Sequence, residues 1–209
     1  MPFSSFKNIG AVIKQFNLTY REENFIVPAE ATPREAFRAE IEFSLREVVV
    51  DNSEYAICEN FIYPILKEVW KNHKEKLMLW SHRPLNYDEQ LSGVPDYIVA
   101  QRSPQGKVVF DRPYFLLVEA KEDNFTQGWG QCLAELIAAR SLSENPKLTI
   151  FGIVSNGEKW EFGKLTLDLF TKNIKKYQLE ALDELVAAVS YVFEQCNLQV
   201  SNRETNDNT

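Results

Sequence analysis

Asp96, Glu119 and Lys121 have the types and the spacing for work on a phosphodiester. Glu119 and Lys121 close the segment Phe115-Leu116-Leu117-Val118-Glu119-Ala120-Lys121, whose β-branched and aromatic content reads as a strand. Strand side chains alternate with period two, so Glu119 and Lys121 share one side. Asp96 lies in a second such segment, Gly93-Val94-Pro95-Asp96-Tyr97-Ile98-Val99, at the point where a strand begins. If the two strands pair, two carboxylates and an ammonium converge. A hard cation such as Mg²⁺ takes that oxygen-rich setting. Singly, each residue has a plainer reading: Asp96 as a turn former, Glu119 and Lys121 as an ion pair of small value.

Other polar residues stand on helical patterns nearby. Over residues 54–71, Ile57, Phe61, Ile65 and Val69 make one apolar face. At about 100° per residue, Glu54 falls on that face and Glu59 at its edge. Two readings of Glu54 stay open. A carboxylate in a first turn suits the helix macrodipole, and a carboxylate facing a core calls for a cation or metal beside it. Over 125–142, large residues (Trp129, Leu133, Leu136, Ile137) oppose Gln131, Ala134, Glu135 and Ala138, so this helix is expected to be covered on both sides. Gln131 and Glu135 would then be partly buried polar groups in need of partners.

The elements that must position these residues follow from periodicity and punctuation. A helical stripe covers 6–20, and Val27-Pro28 to Thr32-Pro33 is a breaker-rich connector. Thr32, Pro33 and Glu35 suggest a capping box opening a helix towards Val49. Asp51-Asn52-Ser53 begins the 54–71 helix, in which Pro64 removes a backbone bond and predicts a kink. Residues 77–80 read as a strand, 81–92 as a polar loop, and 107–110 as a short strand broken by Asp111-Arg112-Pro113. Glu122-Asp123-Asn124 offers caps for the 125–142 helix. A strand over 147–154 turns through Asn156-Gly157 into a partner over 158–165. A further strand over 167–170 and a helix over 177–196 complete the pattern. These elements predict an α/β fold with a central mixed sheet flanked by helices.

A length of 209 residues suits one domain with flanking decoration: an N-terminal helical extension over 1–50 packed on the core, the main domain over 51–200, and a disordered tail over 201–209. A hydrophobic content of 44% and charged content of 25% are those of an ordinary globular chain. No apolar run approaches membrane-spanning length and no secretory signal opens the chain. Cys58, Cys132 and Cys196 are isolated and odd in number, which suggests neither a disulfide framework nor a zinc cluster and fits a cytoplasmic protein. With only His73 and His82, a His-based metal site or a Ser-His-Asp triad is disfavoured. The net charge of −7 argues against holding DNA by bulk electrostatics. Nucleic-acid contact would need a local basic strip, with Lys71, Lys74, Lys76, Arg83, Lys164, Lys172, Lys175 and Lys176 as candidates; a solvated mixed-charge surface is the plainer account of most of them.

In chain order, a helix glutamate (Glu54), a strand opening Pro95-Asp96, a strand ending Glu119-Ala120-Lys121 and a helix bearing Gln131 resemble the PD-(D/E)xK nuclease superfamily. The stretch from Ser53-Glu54 through Phe61-Ile62-Tyr63-Pro64-Ile65-Leu66 is similar to the opening helix of the nuclease domain of type I restriction subunits, and the Asn156-Gly157 hairpin with Trp160 to the strand pair that follows. The resemblance spans residues 54–162. It implies a restriction-endonuclease-like core and a metal-dependent endonuclease. Asp96 and Glu119 would coordinate Mg²⁺ (or Mn²⁺), with the Ala120 carbonyl and waters completing the shell. Glu54 would position a second ion or a water. Lys121 would hold or help deprotonate the attacking water, or neutralise developing charge, and Gln131 would orient water or touch a backbone phosphate. DNA is favoured over RNA as the partner, with a restriction-type partner subunit or a homodimer as a further possibility. The alternatives are a catalytically inactive nucleic-acid or protein interaction module that keeps the nuclease fold, and a structural subunit of a larger complex.

Overall fold

The computed structural model describes residues 2–28, 31–50, 53–143 and 145–206. Its centre is a mixed sheet flanked by helices, the α/β class expected. Four strands carry the candidate site and its surroundings: β5 (Tyr97–Arg102), β6 (Phe110–Ala120), β7 (Thr149–Ser155) and β8 (Lys159–Thr166). Around them are β1 (Thr19–Glu23), β2 (Leu77–Ser81), β9 (Leu169–Asn173) and β10 (Tyr177–Gln178), while β3 (Leu85–Asn86) and β4 (Ser92–Gly93) form a separate small ladder. The strand order is β1-β9-β8-β7-β6-β5-β2, with β10 on β8. β5 and β6 are antiparallel, β6 and β7 parallel, and β7 and β8 an antiparallel hairpin.

The parallel β6–β7 pair needs a crossover, and helix α5 (Phe125–Leu142) supplies it. Asn124 caps α5, its side chain accepting from the Gln127 N–H at 3.0 Å. Both flanks of α5 are covered, as its composition predicts. A Cβ on Gly128 would lie 2.9 Å from Lys121 Cγ and 2.8 Å from Val154 Cγ1, on the sheet side. A Cβ on Gly130 would lie 2.6 Å from Asn8 N and 2.7 Å from Phe6 O, on the side of the N-terminal segment. That segment holds α1 (Ile9–Phe16) and packs through buried Phe3, Phe6 and Val12.

The opposite face of the sheet meets α3 (Glu54–Ile57), a π turn (Cys58–Ile62) and α4 (Tyr63–Trp70). Tyr97 of β5 stacks on Tyr63 there, and α4 packs on the last helix, α6 (Leu182–Asn206). Pro64 does disturb this stretch, in the form of the π turn just ahead of it. Proline has no N–H and its ring crowds the carbonyl four residues back; a wider turn relieves both.

Several local expectations are corrected. The helix expected over 6–20 stops at Phe16, where Asn17 takes a left-handed conformation (φ 52°). The chain then enters β1, an edge strand paired with β9. α2 (Glu35–Glu47) starts at Glu35 with Arg34 before it and no side-chain cap, so the Thr32–Glu35 capping box does not form. Arg34 instead makes a forked contact of 2.6 and 2.7 Å with buried Glu68. β6 runs unbroken past Pro113, because the ladder with β5 skips from Phe110 to Tyr114 and demands no N–H in between. Helix α6 extends to Asn206, beyond the start of the expected tail. Asp51 and Asn52, read as part of a helix start, lie outside the described residues, as do 207–209.

Candidate active site

The site forms where β5 and β6 run side by side. Tyr97 pairs with Val118, so Asp96, one residue earlier on the antiparallel partner, stands opposite Glu119, and both side chains leave the sheet on one face. Asp96 Oδ2 accepts the Ala120 N–H at 2.7 Å, which fixes the carboxylate. Its Oδ1 lies 3.5 Å from His82 Nε2. Lys121 continues the β6 backbone, its N–H donating to the Ser155 carbonyl at 2.9 Å. Its ammonium is 2.6 Å from Glu119 Oε1 and 3.8 Å from Glu54 Oε1. Two carboxylates far apart in the chain thus meet on one ammonium, Glu54 of α3 and Glu119 of β6, with Asp96 fixed nearby by the Ala120 N–H.

Glu54 is 45% exposed, at the rim of the site rather than in the core. As the first residue of α3 its face projects past the end of the apolar stripe and over Lys121. Gln131 does not reach Lys121. Its amide is 3.5 Å from Glu135 Oε1, and Glu135, fully buried, lies beside Glu119. Glu135 is the residue that spacing alone left unplaced. Its signal was a carboxylate one turn after Gln131 on a helix covered on both sides. His82 had no signal beyond its place in a polar loop; a left-handed backbone (φ 50°) and a hydrogen bond from its own N–H to the Asp96 carbonyl bring it there.

Acid outweighs base in this buried cluster. Glu119, Glu54 and Asp96 act on one ammonium, and Glu135 adds a fourth carboxylate beside Glu119. Glu119 Oε2 and Glu135 Oε2 are buried without a hydrogen-bond partner. Burial first, and then the charge of Asp96, push the Glu119 pKa up to about 8 against the pull of Lys121. Burial, followed by the charge of Glu119, drives Glu135 well above the usual carboxylate range. Burial also raises Asp96, opposed by the Ala120 N–H and by Lys121. Burial alone would lower Lys121, but Glu119 beside it holds its pKa above the ordinary lysine value.

Excess buried carboxylate is relieved either by protons or by a cation. Among the described residues no three His, Cys, Asp or Glu side chains form a ready metal cage. The unsatisfied Glu119 Oε2 and the Asp96 carboxylate, opposite in register, nevertheless fit the hard-oxygen donor set of a divalent ion. A hollow of about 320 Å³ lined by Glu54, Lys121, Glu122, Asp123, Asn124 and Gln127 opens over the cluster.

The carboxylates also make a prediction about stability. A folded-state pKa raised above the unfolded 4.5 means that the folded protein keeps a proton the unfolded chain has lost. This contribution to stability is therefore complete below about pH 4.5 and is lost as pH rises towards the folded value. In the presence of a chelator, the melting temperature of the native chain is expected to drop between pH 5 and pH 8. Glu135→Gln, which cannot ionise, is expected to flatten that slope. Thermal unfolding across the range checks it, and equal slopes for the two proteins would exclude this account of Glu135.

No family model matches the chain, and no curated protein matches it either. Among solved structures it is similar to the type IIG restriction endonuclease BpuSI, at 14% identity and a TM-score of 0.44. The match covers 74% of this chain and 18% of that one, so the chain spans less than a fifth of that enzyme's length.

Proposed function

We propose that this chain is a metal-dependent nuclease that hydrolyses phosphodiester bonds, with DNA as the favoured substrate. One observation carries the reading: a buried, acid-rich cluster built around a single ammonium, with the Glu119 Oε2 left unsatisfied. Asp96 and Glu119 would hold Mg²⁺ or Mn²⁺, with Glu54 at the rim. When bound, such an ion supplies Lewis-acid stabilisation of charge on the phosphate and makes a hydrolytic water more acidic.

The remaining roles belong to the chain itself. The Ala120 N–H holds Asp96 in one rotamer. Lys121, cationic at neutral pH because Glu119 sits beside it, is suited to neutralising charge that develops on the phosphate rather than to removing a proton from water. Gln131 and Glu135 back the cluster from α5, Gln131 by donating to Glu135. A restriction-type partner subunit or a second copy would add the DNA contact that a net charge of −7 leaves short.

The test is plasmid DNA incubated with the purified chain and Mg²⁺ or Mn²⁺, with a chelator control, alongside melting curves in the same ions. Metal-dependent cutting and a metal-dependent rise in melting temperature support the reading. DNA binding without cutting in either ion would assign the chain to the non-catalytic interaction class.

A further inference from the structure

A second charged cluster lies on the same face of the sheet. Glu119 is in register with Val154 on β7, and Val154 with Glu161 on β8. The three side chains therefore share the face that α5 covers, with Glu161 two strands, roughly 10 Å, from Glu119. Glu161 is 2% exposed. Its carboxylate meets three ammonium groups: Lys159 at 2.7 Å, Lys172 at 2.8 Å and Lys176 at 3.3 Å. The Trp129 indole N–H donates to it at 2.8 Å. Burial alone would raise the Glu161 pKa, yet the hydrogen bonds from Lys159 and Lys172 hold it down to about 2, so it stays ionised.

One buried carboxylate is neutralised by one ammonium, and here there are three. Glu22 of β1, in register with Lys172, is engaged by the Tyr20 hydroxyl and does not line the hollow. Counting it in full still leaves a cation in excess. Like charges held this close repel unless an anion joins them. The space for one is present: a hollow of about 430 Å³, bordered by the three lysines, Glu161 itself, Thr126 and the Asn8–Gly10 lip of α1. The α1 N-terminus adds its dipole to the same side, with Asn8 capping Ala11. Lys159 and Lys172 are further fixed over the rings of Phe125 and Trp129 at 4.1 and 5.2 Å.

We propose that the hollow framed by Lys159, Lys172 and Lys176 is a phosphate-binding site that holds a backbone phosphate of the nucleic-acid strand at a fixed step from the bond to be cut. This assignment rests on the nuclease reading for the identity of the strand, but not for the phosphate chemistry. The acid-rich and lysine-rich hollows lie on either side of the first turn of α5, one bordered by Asn124 and Gln127, the other by Phe125 and Thr126.

The Trp129 indole N–H reports on this site directly. In chelator, the native chain is titrated with inorganic phosphate and, separately, with a short oligodeoxynucleotide, while the indole ¹H–¹⁵N resonances of its four tryptophans are followed; Trp129→Phe assigns the signal. The Trp129 resonance is expected to shift saturably with both ligands in the native chain and in Asp96→Ala. It is expected to stay still in Lys172→Ala/Lys176→Ala and to recover in Lys172→Arg/Lys176→Arg. Oligonucleotide affinity of the double alanine variant is expected to fall about tenfold, and its log–log salt slope to flatten by about 1, as for one lost phosphate contact. A shift with phosphate alone supports the anion site and removes the strand from it. A native resonance silent to both ligands, or unchanged affinity and slope in the double variant, overturns the proposal. Failure to cut DNA leaves every one of these readouts in place, so the two readings fall separately.

Discussion

Asp96→Ala and Lys121→Ala are each expected to cut plasmid DNA at least 10²–10³-fold more slowly than the native chain in Mg²⁺, the cost of removing one preorganised charge from a reacting centre. Asp96 stands to lose more than its own charge, because its Oδ2 also takes the Ala120 N–H next to Glu119. Lys121→Ala leaves Glu119 buried among acids with no ammonium within reach of its Oε1, so that carboxyl should hold its proton more tightly and lose value as a ligand. Melting experiments should show the loss of metal binding apart from cutting. Asp96→Ala is expected to lose the stabilisation by Mn²⁺, since a ligand that binds only the folded state raises its stability by mass action. Lys121→Arg is expected to restore little of the cutting, because a planar fork does not replace a compact ammonium held 2.6 Å from one oxygen. Equal cutting by the native chain and both alanine variants would trace the activity to a contaminant and remove the nuclease assignment.

The second large effect concerns stability. Gly130→Ala would place a methyl 2.6 Å from the backbone nitrogen of Asn8 and 2.7 Å from the carbonyl of Phe6. Neither atom is the free end of a side chain, so the N-terminal segment or α5 must shift as a whole. The expected cost is about 1–3 kcal/mol, or roughly 3–10 °C of melting temperature for a chain of this size. Gly10→Ala is the matched control. Its methyl would meet only the tip of the Asn8 side chain, at 3.3 Å. Within a helix that exchange is expected to be neutral or to stabilise by about 0.5–1 kcal/mol. A melting temperature for Gly130→Ala within a degree of the native chain would mean that the N-terminal segment is not clamped against α5 as described.

How much of this was readable beforehand depends on whether a feature is local. The bounds of α5 were legible because Asn124 is a cap that acts within four residues and because the apolar periodicity starts next to it. The β7–β8 hairpin was legible in Asn156-Gly157, where Gly157 does take the left-handed region (φ 84°). The placing of Glu119 beside Lys121 follows from strand period alone. Other features depend on partners distant in the chain. β1 (Thr-Tyr-Arg-Glu-Glu) has no buried alternation, since it is an exposed edge strand whose form comes from pairing with β9. Glu135 was recognisable as a polar group in need of company, but its neighbour Glu119 lies on another element. The lysine triad draws on β8, β9 and the loop after β9, and Lys159 stood outside the basic strip that charge counting singled out.

The parallel pairing of β1 with β9 bears on how the chain is made. Thr19 waits for Leu169, about 150 residues downstream. On a ribosome adding roughly 5–20 residues per second, that is a delay of about 8 to 30 seconds. Through that interval Phe3, Phe6 and Val12 have only the half-built sheet and α5 to cover them. Completion of the sheet must therefore come late, and a nascent chain stalled before β9 emerges would be the form most dependent on chaperones.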